Sequence, residues 1–565
     1  MVSVEWMSER HRGVEPVAVA ATFALAFEVT GLFELGDDAL RGALGDSHLL
    51  RDIPQSGVRI LGDAQQHVRV IRQEGPLSHS LILSRRRFIT EELQFPVFNT
   101  CYCFRVLELG NGDALSTVVK DVVLWGVGAL GVDPLAVILT ALIIGLSAVI
   151  QCFALRYLRG DPRQLWWVVW ANLLTGVSTV MVNAQTAIVF AATWIAAGAC
   201  LVALLNIYRG TPGAREGARR AALRFAVGDI GLVAAVVVLV VHAGHDIRLA
   251  DLAAVAAGLP PVMKLAVALL LVAPALSRST QIPFHRWLPS TLTTPTPVSA
   301  LLHAGVVNAG AILVIRFAPA ITSQPLAMTA LFVAGAATLV YASAVRLVKP
   351  DIKGRLVFST MAQMGYMIMA CGLGAFPAVL LHLVAHSFFK SSLFLGAGSG
   401  IRSRAAQRDW PAAVPRTRRV VTAAWVLAAT ASVGAFFAAT EVLGTRPGDP
   451  VTALIVFVIV TAGVAGARWL VTAWSPLAVL AAICAIGTLA FGYTGLLDVV
   501  AVVVPLPTAV APVSAWFVTI PIIALGALQV ATRRGTRPSP MRARLYARLL
   551  SSSVPPISPR KELAA

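Results

Sequence analysis

From about residue 134 the chain alternates between long apolar runs and short polar interruptions. Apolar runs of about twenty residues are the length an α-helix needs to cross bilayer hydrocarbon. They begin near Pro134, Leu165, Ala187, Phe225, Val262, Pro297, Leu326, Arg355 and Pro377, and again near Val420, Val451, Pro476 and Pro512. The pattern predicts an all-α polytopic membrane protein with about 13–15 transmembrane helices. On this reading residues 116–532 are the membrane domain, and residues 533–565 are a basic tail whose prolines (Pro538, Pro540, Pro555, Pro556, Pro559) mark a surface segment. Residues 1–115 are a divergent N-terminal segment: Val17–Phe33 is moderately apolar but holds Glu28, and stretches such as HVRVIRQEG and SRRRFITEE follow. No function is assigned to them.

Composition agrees with the pattern. The chain has 565 residues, 57% hydrophobic and 13% charged, and its mean hydropathy is +0.76. Soluble domains carry about 25% charged residues. A net charge of +18 would suggest nucleic acid on a soluble face. Here it lies in short loops at Arg156–Arg163, Arg209–Arg224, Arg346–Arg355 and Arg402–Arg419 and in the tail from Arg533. An even number of predicted helices separates each basic segment from the next, provided that Val262–Leu288 crosses once despite an internal break. All five then share one face, the cytoplasmic one by the positive-inside rule. The expected setting is a multi-pass protein of the cell membrane with no nucleic-acid partner. The six cysteines show neither a disulfide framework nor zinc-ligand spacing.

The interruption that matters runs from Leu276 to Phe317. An apolar helix ends there, meets Pro283, passes a polar, proline-rich turn and resumes at Pro297, with Thr296 placed as its N-cap. A helix broken at membrane depth frees carbonyls and N–H groups that lipid cannot satisfy, so such breaks face protein or water. Transporters build ion sites at them. Arg278 falls where the first half ends, at the negative end of the helix dipole; it is a fixed cation, suited to setting the local potential or capping the helix end. His303 follows in the second half, and His285 sits in the break itself.

A second polar stripe lies in PAVLLHLVAHSFFKSSLFLGAG. His382, His386 and Lys390 recur every fourth residue, so they share one helix face with neighbours about 6 Å apart. That spacing suits proton relay through single waters. Ionisable groups inside a span are expensive and usually face a bundle interior or a wet cavity. Satisfied core histidines and a snorkelling lysine are the structural alternative. No carboxylate or cysteine accompanies them, which argues against a metal. Ser359, Gln363 and Tyr366 share a face of the preceding helix and extend a hydrated path or bond neighbouring helices. Asp229 reads as a local ion pair with Arg220 and Arg224, and Glu441 as a group near the interface.

QIPFHRWLPSTLTTPTPVSALLHAGVVNAG, DIKGRLVFSTMAQMGYM and HLVAHSFFKSSLFLGAGS together resemble the proton-conducting membrane subunits of the respiratory complex I and Mrp antiporter superfamily (NADH-quinone oxidoreductase subunit L-like). The likeness covers about residues 134–445. It implies two inverted five-helix repeats, each with a broken helix, and puts His303, His382, His386 and Lys390 on the family's central hydrophilic axis. Three departures stand out. The glutamate of the family's WE-containing helix is missing at Trp194-Ile195, the broken-helix lysine is Arg278, and an FFSKDE-like block becomes FFAATE, with Ala439 in the lysine's place and Glu441 nearby. The FPFH-type block with HAGVVNAG looks closer to the DabB family, membrane subunits of two-component inorganic carbon transporters. That resemblance implies a DabA-like zinc-containing soluble subunit as partner.

These readings together lead to the expectation of a transporter subunit, not an enzyme by itself. It would conduct protons or sodium and so drive CO2 or bicarbonate uptake by a carbonic-anhydrase-like partner. The alternatives are an antiporter-like subunit of an NADH-quinone oxidoreductase or Mrp complex, with other subunits of those complexes as partners, and a structural membrane anchor. No residue pattern suggests a bound cofactor.

Overall fold

The structure is a computed structural model that describes residues 130–406, 416–444, 449–507, 514–533 and 540–553. The segment 1–115, the start of a run at Pro512, the central part of the Arg402–Arg419 segment and most of the tail lie outside the described residues. What is described is all-α: the only extended pairings are the isolated bridges Leu130–Ala184 and Thr186–Arg248.

In chain order the helices are α1 (Pro134–Tyr157), α2 (Gln164–Val182), α3 (Ala187–Leu205), α4 (Pro212–Ala243), α5 (Leu252–Gly258), α6 (Pro261–Arg278), α7 (Thr296–Ala304), α8 (Ala309–Arg316) and α9 (Ala318–Thr322). After them come α10 (Pro325–Val348), α11 (Ile352–Gly372), α12 (Phe376–Ala406), α13 (Arg418–Leu443), α14 (Asp449–Thr472), α15 (Pro476–Val503), α16 (Thr519–Arg533) and α17 (Pro540–Ser553). Among the described residues eleven spans are long and apolar enough to cross a membrane, with α7 and α8 forming one of them, Thr296–Arg316. Two of the predicted runs fall short of that standard. The run near Pro512 appears as the shorter apolar helix Ala515–Leu528. The run near Arg355 is α11, which begins with Lys353 and Arg355 and is buried along nearly its whole length.

Helix starts follow local chemistry. Proline opens α1, α4, α6, α10 and α15, where its missing N–H costs nothing. Asp133 caps α1 by accepting the Ala136 N–H at 2.6 Å, and Ser475 caps α15 by accepting that of Ala478 at 3.1 Å. At the α10–α11 contact, backbones touch through glycine. A Cβ on Gly365 would lie 2.5 Å from the Leu339 nitrogen, and one on Gly372 2.7 Å from the Met328 oxygen. This is the small-residue packing by which membrane helices approach closely.

Contacts between loops sort the helix ends. At one end the Tyr208 hydroxyl donates to Asp161, Thr296 Oγ1 lies 3.5 Å from the Tyr157 hydroxyl, and Lys353 Nζ donates to the Thr294 carbonyl. These contacts gather the basic segments Arg156–Arg163, Arg209–Arg224 and Arg346–Arg355 at that end. At the other, Arg316 pairs with Asp133 and donates to the Val182 carbonyl at 2.6 Å. The chain therefore passes from one end to the other once between Pro261 and Thr296, despite its break.

The Tyr208–Asp161 bond makes the basic end sensitive to pH. Tyr208's hydrogen bond, then the Arg163 backbone N–H, hold the Asp161 carboxyl below its ordinary value. Burial, then Asp161, push Tyr208 up to about 12. Asp161 thus contributes stability above about pH 4 that is lost as pH falls through its lowered value. Tyr208 contributes stability below about pH 10 that is lost as pH rises through about 12. Tyr208→Phe should cost about 1 kcal/mol at neutral pH, a hydrogen bond to a charged group discounted for solvent. It should also flatten the alkaline decline, which thermal midpoints between pH 8 and 11 would read.

Candidate functional site

Hydrogen bonds within the protein stitch the break. α6 ends at Arg278, and the chain turns through Thr280, a β-branched residue at φ 57°, a left-handed conformation that surroundings must enforce. They do so by satisfying the freed groups. Gln281 N–H donates to the Leu276 carbonyl at 2.8 Å, the Trp287 indole to the Ser277 carbonyl at 3.0 Å, and Ile282 N–H to Thr338 Oγ1 at 3.0 Å. Ser279 Oγ donates to the Val307 carbonyl at 2.7 Å. Thr296 is the first helical residue of α7 and Pro295 occupies the cap position, one place earlier than the sequence suggested. A second interruption was not foreseen: between α7 and α8 the helix tightens into a single 3-10 turn, Val306–Asn308, after Gly305.

Two polar groups form around the break. In the first, Arg278 is 2% exposed and donates to Asp229 Oδ1 at 2.9 Å. The Trp194 indole donates to the same oxygen at 2.8 Å, and the guanidinium carbon lies 4.7 Å from the Trp194 ring centroid and 4.3 Å from that of Phe225. Asp229 is therefore not a local partner of Arg220 and Arg224, as its neighbourhood in sequence suggested. Arg220 pairs with Glu216 at 2.6 Å, and Arg224 offers its carbonyl to Ser277 Oγ. The carboxylate that pairs with Arg278 comes from α4. A carboxylate inside an apolar span was the available signal.

In the second group α12 places His382, His386 and Lys390 in a buried row, 5%, 1% and 0% exposed. The two imidazoles lie 6.0 Å apart, 18° from parallel. Lys390 Nζ donates to Ser359 Oγ of α11 at 2.7 Å. Tyr366 packs on His382 with centroids 4.9 Å apart, and buried Gln363 lies between Ser359 and Tyr366 along α11. His303, 1% exposed, stacks on Phe394 of α12 at 4.4 Å. Both ring nitrogens of His386, both polar atoms of the Gln363 side chain and His303 Nδ1 lack protein hydrogen-bond partners. Buried polar atoms are ordinarily satisfied, so these are the positions where water would bond.

Two accessory candidates are not brought to these groups. His285 is half-buried with its ring edge-on to Tyr341 at 5.2 Å. Glu441 is exposed near the end of α13, because that helix continues unbroken through FFAATE to a left-handed Gly444. The second break implied by the resemblance is therefore absent from Arg418–Leu443, and buried Ala439 leaves no charge there. Among the described residues no three His, Cys, Asp or Glu side chains meet as a metal site would require.

Gly198 decides whether the first group can form. A Cβ there would lie 2.7–3.0 Å from three guanidinium atoms of Arg278. Gly198→Ala should cost about 1–3 kcal/mol, as overpacked cores do, and displace Arg278 from Asp229. Thermal midpoints of the purified variant would show it.

A bundle of crossing helices, one broken at a buried ion pair and backed by a titratable row, defines a multi-pass membrane domain. Residues 184–445 match the family described as NADH:quinone oxidoreductase/Mrp antiporter, TM. The chain is similar to the "Probable inorganic carbon transporter subunit DabB1" of Halothiobacillus neapolitanus, 37% identical over 281 residues, 48% of this chain and 50% of that one. It is also similar to "NADH-quinone oxidoreductase subunit L" of Mycobacterium tuberculosis, 32% identical over 286 residues, 50% and 44% of the two chains. The chain thus spans about half the length of the curated relatives it matches. The solved Mrp complex from Dietzia sp. DQ12-45-1b aligns with a TM-score of 0.47 at 23% identity, covering 75% of this chain and 48% of that one.

Proposed function

We propose that this chain is the membrane subunit of an energy-coupled inorganic carbon uptake complex, conducting protons or sodium to drive a zinc-containing, carbonic-anhydrase-like partner of the DabA kind. The observation that carries the reading is the buried row His382–His386–Lys390 with His303 beside it, next to a helix broken at Arg278. The similarity to DabB subunits supports carbon uptake as the driven process. In this reading a proton passes by way of His303 and bound water to the row, while Arg278 sets the local potential and Ser359, Gln363 and Tyr366 line the path. A gradient supplies about 2.3 kcal/mol per charge per 100 mV. The basic end faces the cytoplasm, and the chain itself makes or breaks no covalent bond.

The test is bicarbonate uptake by cells carrying the whole complex, with and without an uncoupler. Uptake should fall with the uncoupler and in His386→Ala, and a zinc protein should copurify with the tagged chain. Normal uptake in His386→Ala, insensitive to the uncoupler, would overturn the reading in favour of an anchor. The similarity to subunit L favours the second reading, a redox-linked proton pump, in which redox subunits copurify instead.

A further inference from the structure

A cavity of about 80 Å³ lies beside the break. Most of its wall is apolar and comes from α1 and α2, including Leu139, Leu142, Leu174 and Met181. Polar groups meet it from two sides. Arg278, Asn308 and Ser387 reach it from the core, and Ser147 and Thr175 from the wall.

Asn308 is the informative one. It is 2% exposed, and its amide nitrogen donates to the Ala304 carbonyl and to Ser387 Oγ, both at 2.9 Å. Its Oδ1 has no protein partner. A buried acceptor left unmade is costly, so an amide placed for packing alone would be a poor choice here. A buried water needs two to four polar partners, and this cavity offers the Asn308 oxygen, the Arg278 guanidinium and serine hydroxyls.

The wall also carries polar side chains beyond the cavity. Asn183 donates to Thr140 Oγ1 at 2.8 Å, Ser147 and Thr175 bond at 2.6 Å, and Gln151 donates to Ser147 at 3.0 Å and to Asn172 at 3.3 Å. This polar seam follows the α1–α2 contact from the cavity to an exposed pair.

We infer that the cavity is a wet side chamber, in which water accepts from Arg278 and donates to Asn308 Oδ1. Asn308 is thereby a positioning residue that ties the Arg278–Asp229 pair to α12, the helix of the histidine row. The purpose of the chamber rests on the proposed ion path, but its occupancy does not. No proton need leave either side chain for the bridge to form.

Hydroxyl-radical footprinting of the intact complex tests it, because radicals made from bound water label side chains that bulk solvent does not reach. Met181 and Trp194 line the chamber and are 4% and 1% exposed; Met328, at 0%, is core that does not line it. Met181 should be oxidised severalfold faster than Met328, and in Asn308→Leu it should drop to the rate of Met328. Asn308→Gln, which keeps the acceptor, should retain both labelling and uptake that Asn308→Leu loses. Equal labelling of Met181 and Met328 in the unaltered protein, as a dry or lipid-filled chamber would give, overturns the inference even if Asn308→Leu does not fold. Protected Met181 with an uptake-dead Lys390→Met would sink the chamber and spare the path; labelled Met181 with normal uptake in that variant would do the reverse.

Discussion

Asp229→Asn is expected to destabilise the bundle by about 3–5 kcal/mol, the cost of stranding a buried charge. Arg278 is 2% exposed, its hydrogen bond to a charged group is with Asp229, and the aromatic faces of Trp194 and Phe225 flank it without supplying a counter-charge. Asparagine keeps the shape and removes the charge, so the loss reads the ion pair. Combining Asp229→Asn with Arg278→Met should recover most of the stability, since a buried pair exchanged for apolar packing is often neutral or better. Uptake should stay impaired in the double variant, because the fixed cation at the break is gone. Thermal midpoints of the purified complex, measured beside uptake, separate the two effects. A single variant as stable as the parent would mean that Asp229 does not neutralise Arg278.

Lys390→Met is expected to leave a folded protein and to reduce ion flux by about 100-fold, within the range a positioned proton-transfer group contributes. The side chain is 0% exposed and donates to Ser359 Oγ at 2.7 Å. Methionine occupies similar volume without burying a charge, so the stability change should stay below about 1.5 kcal/mol. Lys390→Arg keeps the charge but holds its proton too tightly to pass it on, and should be as slow. Flux into vesicles containing the complex, followed by a pH-sensitive dye, reads both variants. Unchanged flux in Lys390→Met would remove this residue from the path.

Much of the architecture was legible because membrane helices announce themselves by length and apolarity. The break was legible for a related reason: Pro283, Pro295 and Pro297 with intervening polar residues cannot continue a helix. The histidine row was legible because a four-residue step fixes a shared helix face whatever surrounds it. Other features depend on who packs against whom. Asp229 has two arginines within nine residues, and only the folded bundle shows that its partner lies 49 residues away. Gly305 and Asn308 sit inside an apolar run, so their interruption of the helix left no mark in its hydropathy. Glu441 was drawn toward the site by resemblance, yet an unbroken α13 carries it to an exposed position.

The glycine seam between α10 and α11 limits how this protein can work. Backbones already in contact at Gly365 and Gly372 leave no clearance for one helix to slide or tilt past the other, and close-packed interiors do not deform continuously. Ser359, Gln363 and Tyr366 are therefore mounted on a fixed wall. On the proposed path α10 and α11 would move as one unit, with rotamer changes and rearranging water in front of them.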